Sequence, residues 1–160
     1  MKNSFIKGIS IVEIVIAAGI IAVSVTGIVG AIQIYLKIVH QNAREAQAVL
    51  VLDETAEALQ YLRDEGYSSN IEPNSLHTEY SLFWNGSGYE LGTSTITLSY
   101  EMTRTIQFEE VRRDGSDEIV SSGGVVDPGT RKAVITIKWP YQGQTKTISS
   151  EMLIHNTYEN

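Results

Sequence analysis

Apolar residues are spread unevenly along this chain, and the pattern divides it into three stretches. Between Glu13 and Lys37 there is no charged side chain. The run from Ile14 to Ile32, about 19 residues, matches the length needed to cross a bilayer as a helix. From Gln41 to Asp64 the chain lacks proline and glycine and is dominated by strong helix formers. Here Val49, Leu52, Ala56 and Leu59 recur every three or four residues and predict one apolar stripe, with Asp53, Glu54, Glu57 and Asp64 largely off it. Glu65-Gly66 supplies a stop signal, with Gly66 as the C-terminal cap. Together these features predict a helix from Ser10 to Asp64, about 55 residues and roughly 80 Å if continuous. A helix that long needs lipid or other helices around its first half.

Beyond the polar connector Tyr67 to Thr78, the period changes to that of strands. Tyr80–Trp84 and Tyr89–Leu91 flank Asn85-Gly86-Ser87-Gly88 and predict a hairpin. A longer strand is expected over Thr97 to Arg112, with Met102, Arg104, Ile106 and Phe108 on one face. Asp114-Gly115 and Val126-Asp127-Pro128-Gly129 predict a long turn-rich loop. From Lys132 to Trp139, Ala133, Ile135, Ile137 and Trp139 alternate with Lys132, Val134, Thr136 and Lys138. Pro140 and Gln142-Gly143 then predict a turn into a returning strand, Thr145 to His155, carrying Ile148, Met152 and Ile154. The expected fold class is α+β: a long N-terminal helix, transmembrane in its first half and amphipathic in its second, packed on a small antiparallel β-sheet. The expected divisions are a leader at residues 1–8, an assembly helix at 9–40, an amphipathic helix at 41–66, and a connector and sheet at 67–160.

Charge and composition refine this picture. The 160 residues carry 12 basic and 19 acidic side chains, a net charge of −7, and no cysteine. The acidic balance makes nucleic acid an unlikely partner, and the lack of cysteine excludes disulfides and thiolate chemistry. Lys2 and Lys7 precede the apolar run, which predicts a cytoplasmic N-terminus and a single pass, with the rest of the chain outside the cytoplasm. Gly27 and Gly30 interrupt the apolar helix. They fit either close helix packing or local loosening of the helix during assembly.

Enzymatic chemistry finds little support. His40, His77 and His155 are scattered, and no nucleophile elbow, phosphate loop or zinc-protease motif occurs. Glu109 and Glu110 are adjacent on a predicted strand and face opposite sides. Asp114, Asp117 and Glu118 have calcium-compatible oxygens, but their spacing departs from a calcium loop and fits a turn. Arg112-Arg113 and Arg131-Lys132 could form a phosphate-binding cluster only against their acidic neighbours. Asn85-Gly86-Ser87 matches a glycosylation acceptor that its turn role explains. No cofactor or metal is expected.

The most informative residues are Lys7-Gly8-Ile9-Ser10-Ile11-Val12-Glu13. Gly8 lets the backbone enter a tight peptidase site, and Glu13 is an ionisable group at the mouth of an apolar span, where it calls for a partner. Cleavage after Gly8 would create an amine on Ile9, about 6 Å along the helix axis from Glu13, so the two could pair within one chain or Glu13 could reach the amine of a neighbour displaced along a bundle. The run resembles the precursors of the type IV pilin superfamily, which carry a short basic leader, a glycine and a Phe-Thr-Leu-x-Glu sequence. Gly8 and Glu13 match, while Ile9 stands where the family usually has phenylalanine. The resemblance implies cleavage after Gly8 and N-methylation of Ile9 by a prepilin peptidase. It also implies contact between Glu13 and the amine of an adjacent subunit, and partners among other pilin or pseudopilin subunits and an inner-membrane assembly platform. The carboxy-terminal hairpin is similar to that of minor members, such as the V-type pilus modification protein and the I-type minor pseudopilin of type II secretion. The expected function is a minor subunit of a pilus or secretion pseudopilus, anchored through residues 14–36 in the inner membrane before it joins a filament. The alternative is a signal-anchored extracytoplasmic binding or enzymatic domain that never polymerises.

Overall fold

The computed structural model describes residues 10–157. The chain divides into two units, Met1–Ala43 and Arg44–Asn160, and helix α1, Ile11–Glu65, contributes to both. The first unit is helix alone over its described residues. The second combines the last turns of α1 with a short helix α2, Tyr67–Asn70, and an antiparallel sheet of six strands. These are β1, Glu79–Trp84; β2, Tyr89–Gly92; β3, Thr103–Arg113; β4, Ile119–Val120; β5, Val125–Tyr141; and β6, Gln144–His155. Their order is β2-β1-β3-β5-β6, with β4 paired to the end of β3. The α+β class expected from the periodicities is the one observed.

Helix α1 stops where Glu65-Gly66 predicts. The Gly66 N–H bonds the carbonyls of Leu62 and Arg63, and the Asn70 side chain donates to the Leu62 carbonyl at 3.0 Å. These bonds satisfy groups that a helix end otherwise leaves open. The buried side of the helix is turned by about one position from the predicted stripe. Ala48, Thr55, Ala58, Leu59 and Leu62 are buried, Leu52 and Ala56 are partly covered, and Val49 is 43% exposed. A polar anchor explains the turn. Thr55 is fully buried because its hydroxyl, bonded to the Val51 carbonyl at 2.5 Å, also accepts from Arg104.

The inner face of the sheet is the one the alternation predicts. Met102 just before β3, Ile106 and Phe108 of β3, and Ala133, Ile135, Ile137 and Trp139 of β5 are buried in one cluster with Ala58, Leu59 and Leu62. The hairpin of β1 and β2 is also as predicted, with Trp84 opposite Tyr89. Its turn is closed by the Asn85 carboxamide oxygen, which accepts from the Ser87 and Gly88 N–H groups.

Three expectations need correction. The strand expected from Thr97 begins only at Thr103, because Ser99–Glu101 form a 3-10 turn with Tyr100 and Glu101 at positive φ. The segment Val126 to Gly129, read as loop, belongs to β5. Glu110 faces Arg131 whereas Val111 faces Asp127, so Pro128, Gly129 and Thr130 form a bulge that β3 leaves unopposed. A bulge tolerates a proline that a regular central strand would reject. Pro140 likewise lies within β5, and the turn itself is only Gln142-Gly143, both at positive φ. Two residues in that conformation match the twist of paired strands.

Asp127 holds the bulge together. Its carboxylate accepts from Arg113 Nε at 2.7 Å, the Thr130 hydroxyl at 2.6 Å and the Gly129 N–H at 2.9 Å. Burial alone would raise its pKa, but these bonds outweigh that and hold it below the ordinary value. A carboxyl group whose folded pKa is depressed stabilises the fold above its unfolded pKa, and that contribution is lost as pH falls through the folded value. Asp127→Asn is therefore expected to destabilise the protein at neutral pH and to flatten the loss of stability below about pH 4. Chemical denaturation of both forms across that range checks this. Parallel pH profiles would contradict it.

Candidate assembly helix

In the first unit α1 begins with a cap. The Ser10 hydroxyl accepts the Val12 N–H at 3.3 Å, and the Ser10 carbonyl accepts the N–H groups of Glu13 and Ile14. Glu13 is therefore fixed in the first turn, where a negative charge is favoured by the partial positive charge of a helix N-terminus. The spacing Ser10-x-x-Glu13 is a capping-box pattern. This signal was readable in the sequence and gives Glu13 a local role in the first turn of the helix. The Glu13 side chain stands among apolar neighbours: Val12, Ile16 and Ile20 to one side, Ile14, Ala18 and Ile21 to the other.

From Ile11 to Val39 the large aliphatic residues are exposed, for example Ile20 at 62% and Val23 at 74%. The most apolar 18-residue window of α1 has a mean hydropathy of 2.4 and no buried residue. Among the described residues this is one helix long and apolar enough to cross a membrane. Its two aliphatic hydroxyls are satisfied internally: Ser24 donates to the Ile20 carbonyl at 2.8 Å and Thr26 to the Ala22 carbonyl at 2.7 Å. Such back-bonding hides polar groups that would be costly in lipid. The helix runs through Gly27 and Gly30, where an added Cβ would meet nothing within 4 Å. Both small faces are open to a neighbouring helix. Lys2, Lys7, Gly8 and Ile9 lie outside the described residues.

The histidines and acidic residues singled out in the sequence lie in separate settings. His77 sits in the connector, where its N–H bonds the Phe108 carbonyl at 2.9 Å. His155 ends β6, with Nδ1 2.8 Å from the Thr130 hydroxyl oxygen. Thr130 gives its proton to Asp127, so it accepts from His155 Nδ1–H, and the tautomer is set. His40 lies on the helix of the first unit. The carboxylate of Asp114 accepts the N–H groups of Ser116 and Glu118, so it closes the β3–β4 turn. Among the described residues no group of three or more His, Asp or Glu is placed to hold a metal ion.

Three of the four basic residues considered for phosphate binding are matched by carboxylates, while the Nε of Arg131 is buried without a hydrogen-bond partner. Arg112 pairs with Glu110, and Arg113 with Asp127, both at 2.7 Å. Lys132 bridges Glu109 at 2.7 Å and Glu151 at 3.5 Å; its bond to Glu109 is the main cause of its raised pKa. Arg104 is the most unusual cation, only 6% exposed and on the inner face of the sheet. Its guanidinium donates to the Leu82 carbonyl at 2.5 Å and Thr55 Oγ1 at 3.3 Å, and lies 3.6 Å from Glu54. Burial lowers its pKa and Glu54 partly restores it. The alternation had placed a charge between Met102 and Ile106, which was the available sign of a buried polar anchor.

No family model, curated protein or solved structure matches the chain.

Proposed function

We propose that this chain is a subunit, of the minor kind, of a type IV pilus or a type II secretion pseudopilus. The observation that carries this reading is the first unit of the chain: an apolar helix with every large side chain exposed, and its first turn capped by Ser10 around the lone acid Glu13. Lipid covers such a surface before assembly, and the apolar helices of other subunits cover it afterwards. A prepilin peptidase cuts after Gly8 and methylates the new amine of Ile9. Lys2 and Lys7 keep the leader on the cytoplasmic side of the inner membrane. In the filament, Glu13 takes the Ile9 amine of a neighbour as its counter-ion. The assembly platform of the inner membrane supplies the extraction step, and the sheet domain stays outside the cytoplasm throughout.

Gly8→Val tests the processing step. Expressed with a prepilin peptidase, the parent chain is expected to lose residues 1–8 and gain one methyl group, and the variant to retain both leader and unmodified amine. Intact-mass spectrometry reads the two. A parent chain that stays full length beside an active peptidase would instead favour a signal-anchored domain.

A further inference from the structure

Strand β6 forms one edge of the sheet, and among the described residues nothing pairs with its far side. Natural sheets blunt such edges with proline, bulges, short strands or projecting charge, because a row of open N–H and C=O groups recruits other chains. β6 shows little of this. It runs 12 residues, pairs with β5 without a register break from Gln144 to His155, and contains no proline. The opposite edge, β2, is only four residues long.

The register identifies which backbone groups are open. The two-residue turn Gln142-Gly143 makes Tyr141 and Gln144 a mutually hydrogen-bonded pair. Bonding to β5 then recurs at every second residue, through Lys146, Ile148, Ser150, Met152 and Ile154. The bond from the Asn156 N–H to the Gly129 carbonyl at 2.8 Å continues the same parity. The N–H and C=O groups of Thr145, Thr147, Ser149, Glu151 and Leu153 therefore point away from the sheet, and all five residues are exposed.

The chemistry beside this ladder is mostly uncharged, with hydroxyl side chains at Thr145, Thr147 and Ser149 and aliphatic ones at Ile148 and Leu153. Lys146 is matched by Glu45 at 2.6 Å and Glu151 by Lys132, which leaves Thr147-Ile148-Ser149-Ser150 without charge. The Lys146–Glu45 contact puts this edge against α1, and Val49, one turn on from Glu45, is 43% exposed on that side. Ile148 and Met152 face the helix but are only partly covered. We infer that β6 is a docking edge for an extended, uncharged protein strand. The strand's backbone completes the ladder, and its alternate aliphatic side chains cover Ile148, Met152 and Val49. Strand addition of this kind requires neither leader removal nor Glu13, so it stands or falls apart from filament assembly.

The test uses the full chain in detergent micelles and a seven-residue peptide of alternating threonine and valine, with residue-resolved amide exchange as the readout. Without peptide, the amides of Thr147, Ser149 and Glu151 are expected to exchange rapidly while those of Ile148, Ser150 and Met152 are protected. Saturating peptide is expected to slow the first set by at least about tenfold and leave the second little changed. The same peptide N-methylated on the backbone edge that faces β6 should protect nothing. Ser149→Pro should abolish the effect while keeping the bonds to β5, because the Ser149 N–H does not serve them. Three results would overturn the inference: open-edge amides already protected without peptide, no protection by the plain peptide, or equal protection by its N-methylated form.

Discussion

Replacing Glu13 with leucine is expected to leave processing after Gly8 intact and to remove the chain from filaments. Glu13 belongs to the first unit, and the second has its own core of helix and sheet, so the fold of that unit should be unchanged. On the proposed assembly, what changes is the pairing between subunits. With the carboxylate gone, a neighbour's Ile9 amine would be buried among aliphatic side chains without a counter-ion. Breaking one partner of a buried ion pair typically costs about 3–5 kcal/mol. At about 1.4 kcal/mol per factor of ten, association would weaken at least about a hundredfold at that contact. Glu13→Gln keeps the shape and removes only the charge, so it should fail nearly as badly. Sheared filament fractions, probed for this subunit beside its membrane-bound pool, give the measurement. Wild-type incorporation of either variant would sink the assembly role of Glu13.

The second large effect is expected at Arg104. Arg104→Ala should destabilise the second unit by about 3 kcal/mol, combining a cavity in the core with the loss of charge-assisted bonds to the Leu82 carbonyl. Arg104→Met should cost less, since an aliphatic chain of similar length fills the space and removes the desolvation penalty of a buried cation. Glu54→Gln should cost about 1 kcal/mol or less, because the Glu54 side chain is 51% exposed and its 3.6 Å contact is screened by water. Urea unfolding of the three variants separates these contributions. If Ala and Met behave alike, Arg104 acts through its charge rather than through packing.

Much of this architecture was legible in the chain because it depends on local periodicity. The charge-free run after Glu13, the helix formers up to Glu65 and the alternation from Lys132 to Trp139 each specify an element and its buried face without reference to anything distant. The hairpin around Asn85-Gly86 was readable for the same reason, since its turn bonds lie within four residues. The misread positions are those where a distant partner decides. Val49 was assigned to the core by spacing, but the bond between Thr55 and Arg104, 49 residues apart, turns the helix so that Val49 is left open. Val126 to Gly129 has the composition of a loop. It is held in a strand by Asp127, whose ties to Arg113 and Thr130 place the bulge. Gly124 permits the return from β4, because an added Cβ would collide with the Arg113 carbonyl oxygen.

The candidate site divides along the same line. The sequence by itself determined the chemistry of the helix: one acid at its start and an apolar surface too long for a domain of this size to bury. These follow from residue type and helical geometry, which need no tertiary context. Only the tertiary structure decided where the chain exposes unpaired backbone, because an edge strand becomes one through the order of strands in the sheet. β6 and β5 read alike as alternating segments. Pairing across both sides hides the backbone of β5, while β6 is left with half of its hydrogen-bonding groups facing outward.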